Sequence, residues 1–386
     1  MLPCRALSRR AFCGTIFTAG LTSCVPFAEM NSGYAPTLCD TQRAYRGQPK
    51  LASRIALPLK RHPLSAPPLP APAAKRLDSV LDEAMRRSGA SAINAAVRVP
   101  GKGVWESTRP RSAPAIAQWA SAGKTFTATA ILMLVDRGQI SLDDPVSIWI
   151  EDLPNGNAIT IRHLLSHTSG LFSANEDRAY RQAPRILSLA EEISILKRHG
   201  AMFCPGENWR YSNSNYSLLG AVLSRVEGPP YTQVISERIL KPLHLTRTRV
   251  TSESDTLDDV VPPQAPGAGE IAADPRKAGP AGGIVGPASE MLVFWQALLE
   301  ARLISPAALR TAFQDLYPMF GQPMYYGLGV MAYPLQDGPL LIGHSGGGAG
   351  LKTVIVYDTT RQAFAAVSVS GQKGAEATAL ALLETL

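Results

Sequence analysis

Apolar positions recur at helical spacing at Leu77, Val80, Leu81 and Met85, so a helix is predicted from about Lys75 to a stop at Gly89. Residues Ala92 to Val99 and Gly103 to Ser107, separated by Pro100-Gly101, read as a strand hairpin. A second helix begins near Ser121 and carries Phe126, Ala130, Ile131, Leu134 and Val135 before Gly138; being apolar nearly all round, it should be buried. Further helices are predicted at 161–167, 215–227 and 287–300, while 251–283 is rich in Pro, Gly and Asp and reads as a surface loop. The pattern then changes to short β-rich runs, Tyr326 to Met331, Leu340 to Gly343, Leu351 to Tyr357 and Ala363 to Ser370, closed by a helix at 374–386. A hairpin at the start and a meander at the end, with helices between, predict an α/β (α+β) fold. One antiparallel sheet is completed by both ends of the ordered chain and flanked by helices, and a mostly helical lobe is inserted at about 140–260.

Before this unit the chain lacks periodicity. From about Val25 to Ala74 it reads as a tether, stiffened by the run Pro63 to Pro72. The first residues contain Ser8-Arg9-Arg10-Ala11-Phe12 and a mildly apolar run ending in Leu21-Thr22-Ser23-Cys24, too short for a permanent membrane helix. They look like an export signal of the twin-arginine kind, and Cys24 stands where bacterial lipoproteins carry the lipidated cysteine. The expectation is a protein of the periplasm or cell envelope, held at the membrane by lipid on Cys24, or simply secreted if that cysteine is not modified.

Charge supports this division. The formal net charge is +7, but residues 1–75 hold 10 of the 38 Lys and Arg and only 2 of the 31 Asp and Glu. The remainder is close to neutral and has no basic stripe with interleaved aromatics, so nucleic acid is not an expected partner. A hydrophobic share of 45% and a charged share of 18% exclude disorder as the default. Of five cysteines, removal of the leader and lipidation of Cys24 would leave Cys39 and Cys204 as the one possible pair. Cys39 lies in the segment without periodicity and nothing brings the two together, so no bridge is expected and Cys204 reads as a small buried apolar side chain.

The pattern Ser-x-x-Lys occurs three times, at Ser121/Lys124, Ser194/Lys197 and Ser370/Lys373. A nucleophilic serine is best placed at the first turn of a buried helix, with lysine one turn on and on the same face. Only Ser121 meets that condition. Ser194 lies within an amphipathic helix and Ser370 at a strand-end turn.

Together with Tyr211-Ser-Asn213 and His344-Ser-Gly346, the pair Ser121-x-x-Lys124 resembles the penicillin-recognising serine hydrolases, in order and rough spacing. The resemblance is to the class C β-lactamase-like branch with its esterases and D-amino-acid peptidases. Ile161 to Gly170, Pro205-Gly206, Trp209 to Asn213 and Gly343 to Gly347 are similar to that branch too, and the match spans about 76–386. It implies an acyl-enzyme on Ser121, with Lys124 and Tyr211 as the two candidates for its general base and no metal or cofactor. Tyr211, its phenolate favoured by nearby cationic charge, would protonate the leaving group and later activate water. Asn213 would donate to the substrate, and Ser121 and Gly347 would supply the amides of an oxyanion hole. Taken alone, Tyr211 and Asn213 read as a turn in which Asn caps the next helix, and the glycines as a flexible strand end.

The third motif departs from β-lactamases, which carry Lys-Thr-Gly or a close variant there. His344 is mostly uncharged at neutral pH and would hold a substrate carboxylate less firmly than lysine, which favours esters or peptides over β-lactams. Gly346 belongs to the same substrate-binding strand. Expected substrates are small esters, D-amino-acid peptides and, third, β-lactams. The alternatives are a penicillin-binding sensor or scaffold that acylates without turnover, or an inactive wall-binding module. His163 and His167 have the spacing of a zinc helix but no adjacent glutamate and no third ligand, so they read as a structural turn ending at Gly170. Gly346 to Gly350 lack the correctly placed lysine of a phosphate loop.

Overall fold

The computed structural model describes residues 38–386 apart from 53, 54, 184, 268, 269 and 337. The residues of the expected leader, Arg9-Arg10 and Cys24, lie outside the described residues. Helix α1 (Ala71–Ser88) starts with Pro72 in its first turn and ends on Gly89 in the left-handed region. Strands β2 (Ala92–Val99) and β3 (Gly103–Arg109) form the expected hairpin. After the short strand β4 (Ala117–Gln118), a 3-10 turn at Ala120–Gly123 runs into α2 (Lys124–Asp136), buried along almost its whole length.

Three helices of the inserted lobe bear on the site: α3 (Ile161–Ser166), α4 (Leu189–His199) and α5 (Asn213–Glu227). Strand β5 (Arg249–Val250) and β6 (Ile284–Gly286) pair with β4 in a small sheet, and α6 (Ala288–Leu299) returns to the main one. The meander is β7 (Asp315–Met319), β8 (Gln322–Tyr326), β9 (Met331–Pro334), β10 (Leu340–Gly348), β11 (Leu351–Asp358) and β12 (Ala363–Ser370), closed by α7 (Ala375–Glu384).

With β1 (Leu51–Ala52) at its edge, the main sheet has the order β1-β7-β8-β9-β10-β11-β12-β2-β3, antiparallel throughout. Pairing of β12 with β2 joins the two ends of the ordered chain, as the pattern predicts. Strand alternation then sorts the core. Val354, Val356, Ala365 and Val367 face α1 and α7 with Leu77, Leu81 and Leu382. Ile355, Tyr357, Phe364 and Ala366 face α2 and α6, where Phe126 and Phe294 stack with ring centroids 3.7 Å apart.

Three expectations need correction. The run Tyr326 to Met331 is not one strand. Gly327 and Gly329 turn the chain between β8 and β9, and a Cβ on Gly329, whose φ is +74°, would stand 2.2 Å from Ala128 Cβ on α2. The close approach to the buried helix is what breaks the strand.

The second correction concerns the tether. Its described part is a strap packed along the domain. Leu57 and Leu69 are buried, β1 adds to β7, and Leu59 N–H donates to Leu299 O at 2.8 Å. The proline run uses its carbonyls: Val104 N–H donates to Pro67 O at 2.9 Å, and buried Arg98 donates to Leu64 O. Proline lacks an N–H to satisfy, so such a segment can lie against a sheet edge with its carbonyls paired and no orphaned donor.

Cys39 and Cys204 are joined in a disulfide with Cα atoms 5.7 Å apart, against the expectation of no bridge. Its neighbourhood supplies what the periodicity lacked: Cys39 N–H donates to Asn155 Oδ1 at 2.9 Å, Arg43 N–H to Pro205 O at 2.8 Å and Arg46 N–H to Glu207 O at 2.8 Å. The strap is thereby fixed to the segment that leads into Tyr211. Cys39→Ser should lower the unfolding free energy by about 3 kcal/mol, read from urea melts monitored at tryptophan. An unchanged midpoint would mean that the strap's hydrogen bonds alone hold it.

Candidate active site

The turn bearing Ser121 is clamped from two sides. Trp119 N–H donates to Ile284 O at 3.1 Å and its indole to Gly286 O at 2.9 Å, while Thr353 Oγ1 donates to Trp119 O at 2.9 Å. Ala120 is held at φ +45°, a region that non-glycine residues visit only when their surroundings impose it. Those surroundings are glycines. A Cβ on Gly282 would lie 2.7 Å from Ala120 O, and one on Gly346 would lie 2.7 Å from Ser121 N and 2.8 Å from Trp119 O. The end of β10 therefore runs directly against the serine turn. It places Gly347, which is exposed, next to the face where the Ser121 amide stands.

Lys124, one turn on, is completely buried. Its Nζ donates to Asn213 Oδ1 at 2.7 Å and to Ala281 O at 2.6 Å, and lies 3.2 Å from Ser121 Oγ. Burial drives the amine well below the ordinary lysine range. A neutral amine has two protons and one lone pair. With its two protons on the two carbonyl oxygens, such an amine would turn its lone pair to the Ser121 hydroxyl.

Tyr211 sits at the entrance of α5, with Lys124 Nζ 5.0 Å from its ring centroid. Burial pushes its phenol far above the ordinary value, offset in part by hydrogen bonding with Ser121. It is a phenol, and the expectation of a phenolate favoured by cationic charge is corrected: burial of the hydroxyl outweighs the nearby amine. The segment is fixed to the loop after α3, since Arg210 N–H donates to His167 O at 3.0 Å, Ser212 N–H to His167 Nδ1 at 3.2 Å and Ser212 Oγ to Phe172 O at 2.9 Å.

Asn213 begins α5, preceded by Ser212 at the cap position. Its amide nitrogen donates to Asn175 Oδ1 at 3.0 Å, which fixes its oxygen toward Lys124. One amide proton remains for a substrate.

His344 is where the sequence reading departs most from the structure. It lies in the same cluster but is fully buried, its Nδ1 2.6 Å from Ser345 O and its Nε2 3.0 Å from the Tyr326 hydroxyl. A carbonyl at that distance requires the proton on Nδ1, so Nε2 accepts from Tyr326. Burial, and then the nearby Lys124, hold the imidazole down to about 3. It is neutral and built into the wall, and as placed it offers no charge to a substrate carboxylate.

His163 and His167 are structural. His163 caps α3, accepting from Thr160 N–H at 3.1 Å through Nδ1. His167 takes φ +61° just after α3 and packs 4.3 Å from the Tyr211 ring and 4.6 Å from that of Tyr326. Among the described residues, no group of His, Cys, Asp and Glu could hold a metal ion, and no helix is long and apolar enough to cross a membrane. Ser194 donates within α4 to Ala190 O at 2.9 Å, and Ser370 donates to Pro262 O at 2.5 Å at the end of β12. Neither has a lysine beside its hydroxyl.

Sequence reasoning missed Asn175, Ser173, Tyr326 and the carbonyl of Ala281. Short polar residues soon after Leu171-Phe172 were a signal for the first two; Ala281 gives none beyond the Gly-Pro-Ala-Gly-Gly run around it.

Comparison with known proteins agrees with the fold. The beta-lactamase family profile matches residues 77–385, and the chain belongs to that family, whose fold is that of serine hydrolases including esterases and amidases. Penicillin-binding protein 4* of Bacillus subtilis is 29% identical over 64% of this chain and 59% of its own length. Esterase EstB of Burkholderia gladioli is 33% identical over 44% of this chain and 50% of its own. The chain thus spans only about half to three-fifths of these relatives. Among solved structures, a D-stereospecific amidohydrolase from Streptomyces sp. superposes with a TM-score of 0.68 and 28% identity over 80% of this chain and 97% of its own. D-amino acid amidase from Ochrobactrum anthropi SV3 shares the fold, with a TM-score of 0.73 at 22% identity over 82% of this chain and 99% of its own.

Gly346→Ala should displace the serine turn, because the clashing atoms are backbone. The expected result is loss of fluorophosphonate labelling at Ser121 with destabilisation of about 1–3 kcal/mol. Labelling at the wild-type rate would show that the turn does not depend on this contact.

Proposed function

We propose that this chain is an exported serine hydrolase that forms an acyl-enzyme on Ser121 and acts on small esters and amides or peptides of D-amino acids. The observation that carries the reading is the fully buried Lys124, whose pKa burial lowers and whose Nζ lies 3.2 Å from Ser121 Oγ with Asn213 Oδ1 and Ala281 O as its other partners. Lys124 takes the hydroxyl proton as Oγ attacks the carbonyl carbon. The carbonyl π pair moves onto oxygen, facing the amides of Ser121 and Gly347. On collapse the bond to the leaving group breaks, and Tyr211, a phenol in the resting site, gives that group its proton and is restored from Lys124. Water then repeats the sequence on the acyl-enzyme. The free amide proton of Asn213 suits a carbonyl on the substrate's acyl side.

Esters and amides are preferred over β-lactams because the strand end carries a neutral, buried His344 where a fixed cation would hold a carboxylate. The names of EstB and of the D-stereospecific amidohydrolase point the same way. Export is supported by the Arg9-Arg10 leader and by the Cys39–Cys204 bridge, since disulfides persist in oxidising compartments. Lipid on Cys24 would tether the enzyme; palmitate incorporation lost in Cys24→Ala is the expected outcome, and equal incorporation would place the anchor elsewhere.

Ser121→Ala should abolish labelling by a fluorophosphonate probe, whereas Ser194→Ala and Ser370→Ala should keep it. Equal labelling of all three variants would end the assignment. Turnover of a chromogenic ester and a D-amino-acid amide separates an enzyme from a penicillin-binding sensor, which would acylate stoichiometrically and release nothing. Because burial lowers the Lys124 pKa, the neutral amine is available at lower pH than in a free lysine, and kcat/KM should fall on the acid side as the amine takes up its proton. Lys124→Arg, permanently protonated, should lose about 10³-fold. A flat acid limb with an active arginine variant would assign the base elsewhere.

A further inference from the structure

A lysine is buried behind the oxyanion-side strand, on the face of the sheet that the chemistry above does not use. Lys352 is 2% exposed and pairs with Gly347 across β10 and β11, so the two residues point to the same side. That side is the one where Val354 and Val356 meet α1 and α7. Thr353, on the other face, donates to Trp119 O. Since Gly347 has no side chain, the lysine lies across its bare face: a Cβ there would meet Lys352 Cδ at 3.1 Å and Nζ at 3.3 Å. Two bond lengths from that point place the ammonium within about 6 Å of the Gly347 amide nitrogen.

An apolar side chain would fill this position without the cost of taking a charge out of water, so the lysine calls for a role. The charged and titratable groups around it are Glu376 in the first turn of α7 and Glu270 in the loop before β6, with the Tyr333 phenol of β9 facing Glu376. Glu376 is 2% exposed and its Oε1 has no hydrogen-bond partner.

We propose that Lys352 is a positioning residue whose positive charge, applied through the Gly347 peptide from behind the strand, favours the oxyanion formed on Ser121. The proposal rests on the serine-hydrolase reading given above. Its field adds to that of the amide while the lysine, itself buried, never meets substrate, and a charge held in the low-dielectric interior is felt at this range. Burial lowers Lys352 to about 8, its attraction to Glu376 and Glu270 opposing the shift, and raises Glu376 to about 8. The lysine is therefore charged at neutral pH and loses its proton as pH rises through this region, with Glu376 titrating as its coupled neighbour. Turnover should decline on the alkaline side accordingly.

Lys352→Met, close in shape and uncharged, tests this. Expected are a fall in kcat of about tenfold or more with KM within about twofold, a matching loss of affinity for a boronic acid that mimics the tetrahedral species, and loss of the alkaline limb near pH 8. Lys352→Arg should recover part of kcat. Unchanged kcat and alkaline limb in Lys352→Met would overturn the proposal, as would arginine and methionine variants that lose activity only in proportion to thermal stability. Should the methionine variant fail to fold, Glu376→Gln gives the same decision. Removing the acid should move the alkaline limb to lower pH, and an unmoved limb overturns the proposal. Fluorophosphonate labelling of the wild-type Ser121 runs alongside: its absence would defeat the acyl-enzyme reading, whereas labelling together with an unmoved limb would defeat this inference alone.

Discussion

The site depends on keeping one amine out of water. Lys124 is enclosed by α2, α5 and the Ala281 carbonyl, and its burial favours the unprotonated amine beside a serine hydroxyl. In solvent the same lysine would be an ammonium, a proton donor with no lone pair to offer. The helical lobe and the sheet thus have a chemical function beyond support, because neither alone would exclude water from Nζ. The neutral state of His344 and the un-ionised phenol of Tyr211 follow from the same enclosure.

Placement of Ser121 is the second requirement, met by backbone rather than side chains. The turn at Trp119 to Gly123 is pinned to β6 and β11, with Ala120 in a strained conformation and bare glycines at 282 and 346 pressing on it. The Tyr211 segment is fixed on its far side by the strap and the Cys39–Cys204 bridge. The described residues ahead of α1 consequently pack with the catalytic unit, the proline run included.

Much of this was legible before any coordinates. Alternation in Leu351 to Tyr357 and Ala363 to Ser370 marked strands whose neighbours were fixed by the hairpin at Ala92, and the all-apolar helix after Ser121 selected one Ser-x-x-Lys pattern out of three. What escaped was carried by tertiary contacts that leave no period in the chain. Proline carbonyls serving arginine and backbone donors look like a linker in sequence. The Cys39 to Cys204 approach depends on the strap's course. The role of His344 turned on which way an imidazole faces, a matter decided by Tyr326, far from it in any motif. Asn213 was recognised as polar and available, yet its orientation is set by Asn175, on a loop with no regular pattern.

The protonation state of Lys124 is open to direct measurement. With lysine side chains labelled by 15N at Nζ and the Lys124 signal assigned by its loss in Lys124→Arg, a pH titration by nuclear magnetic resonance should show a neutral amine at pH 7, becoming an ammonium only under more acid conditions. A Lys124 signal that remains that of an ammonium up to pH 10 would contradict the account, because the serine would then have no base beside it.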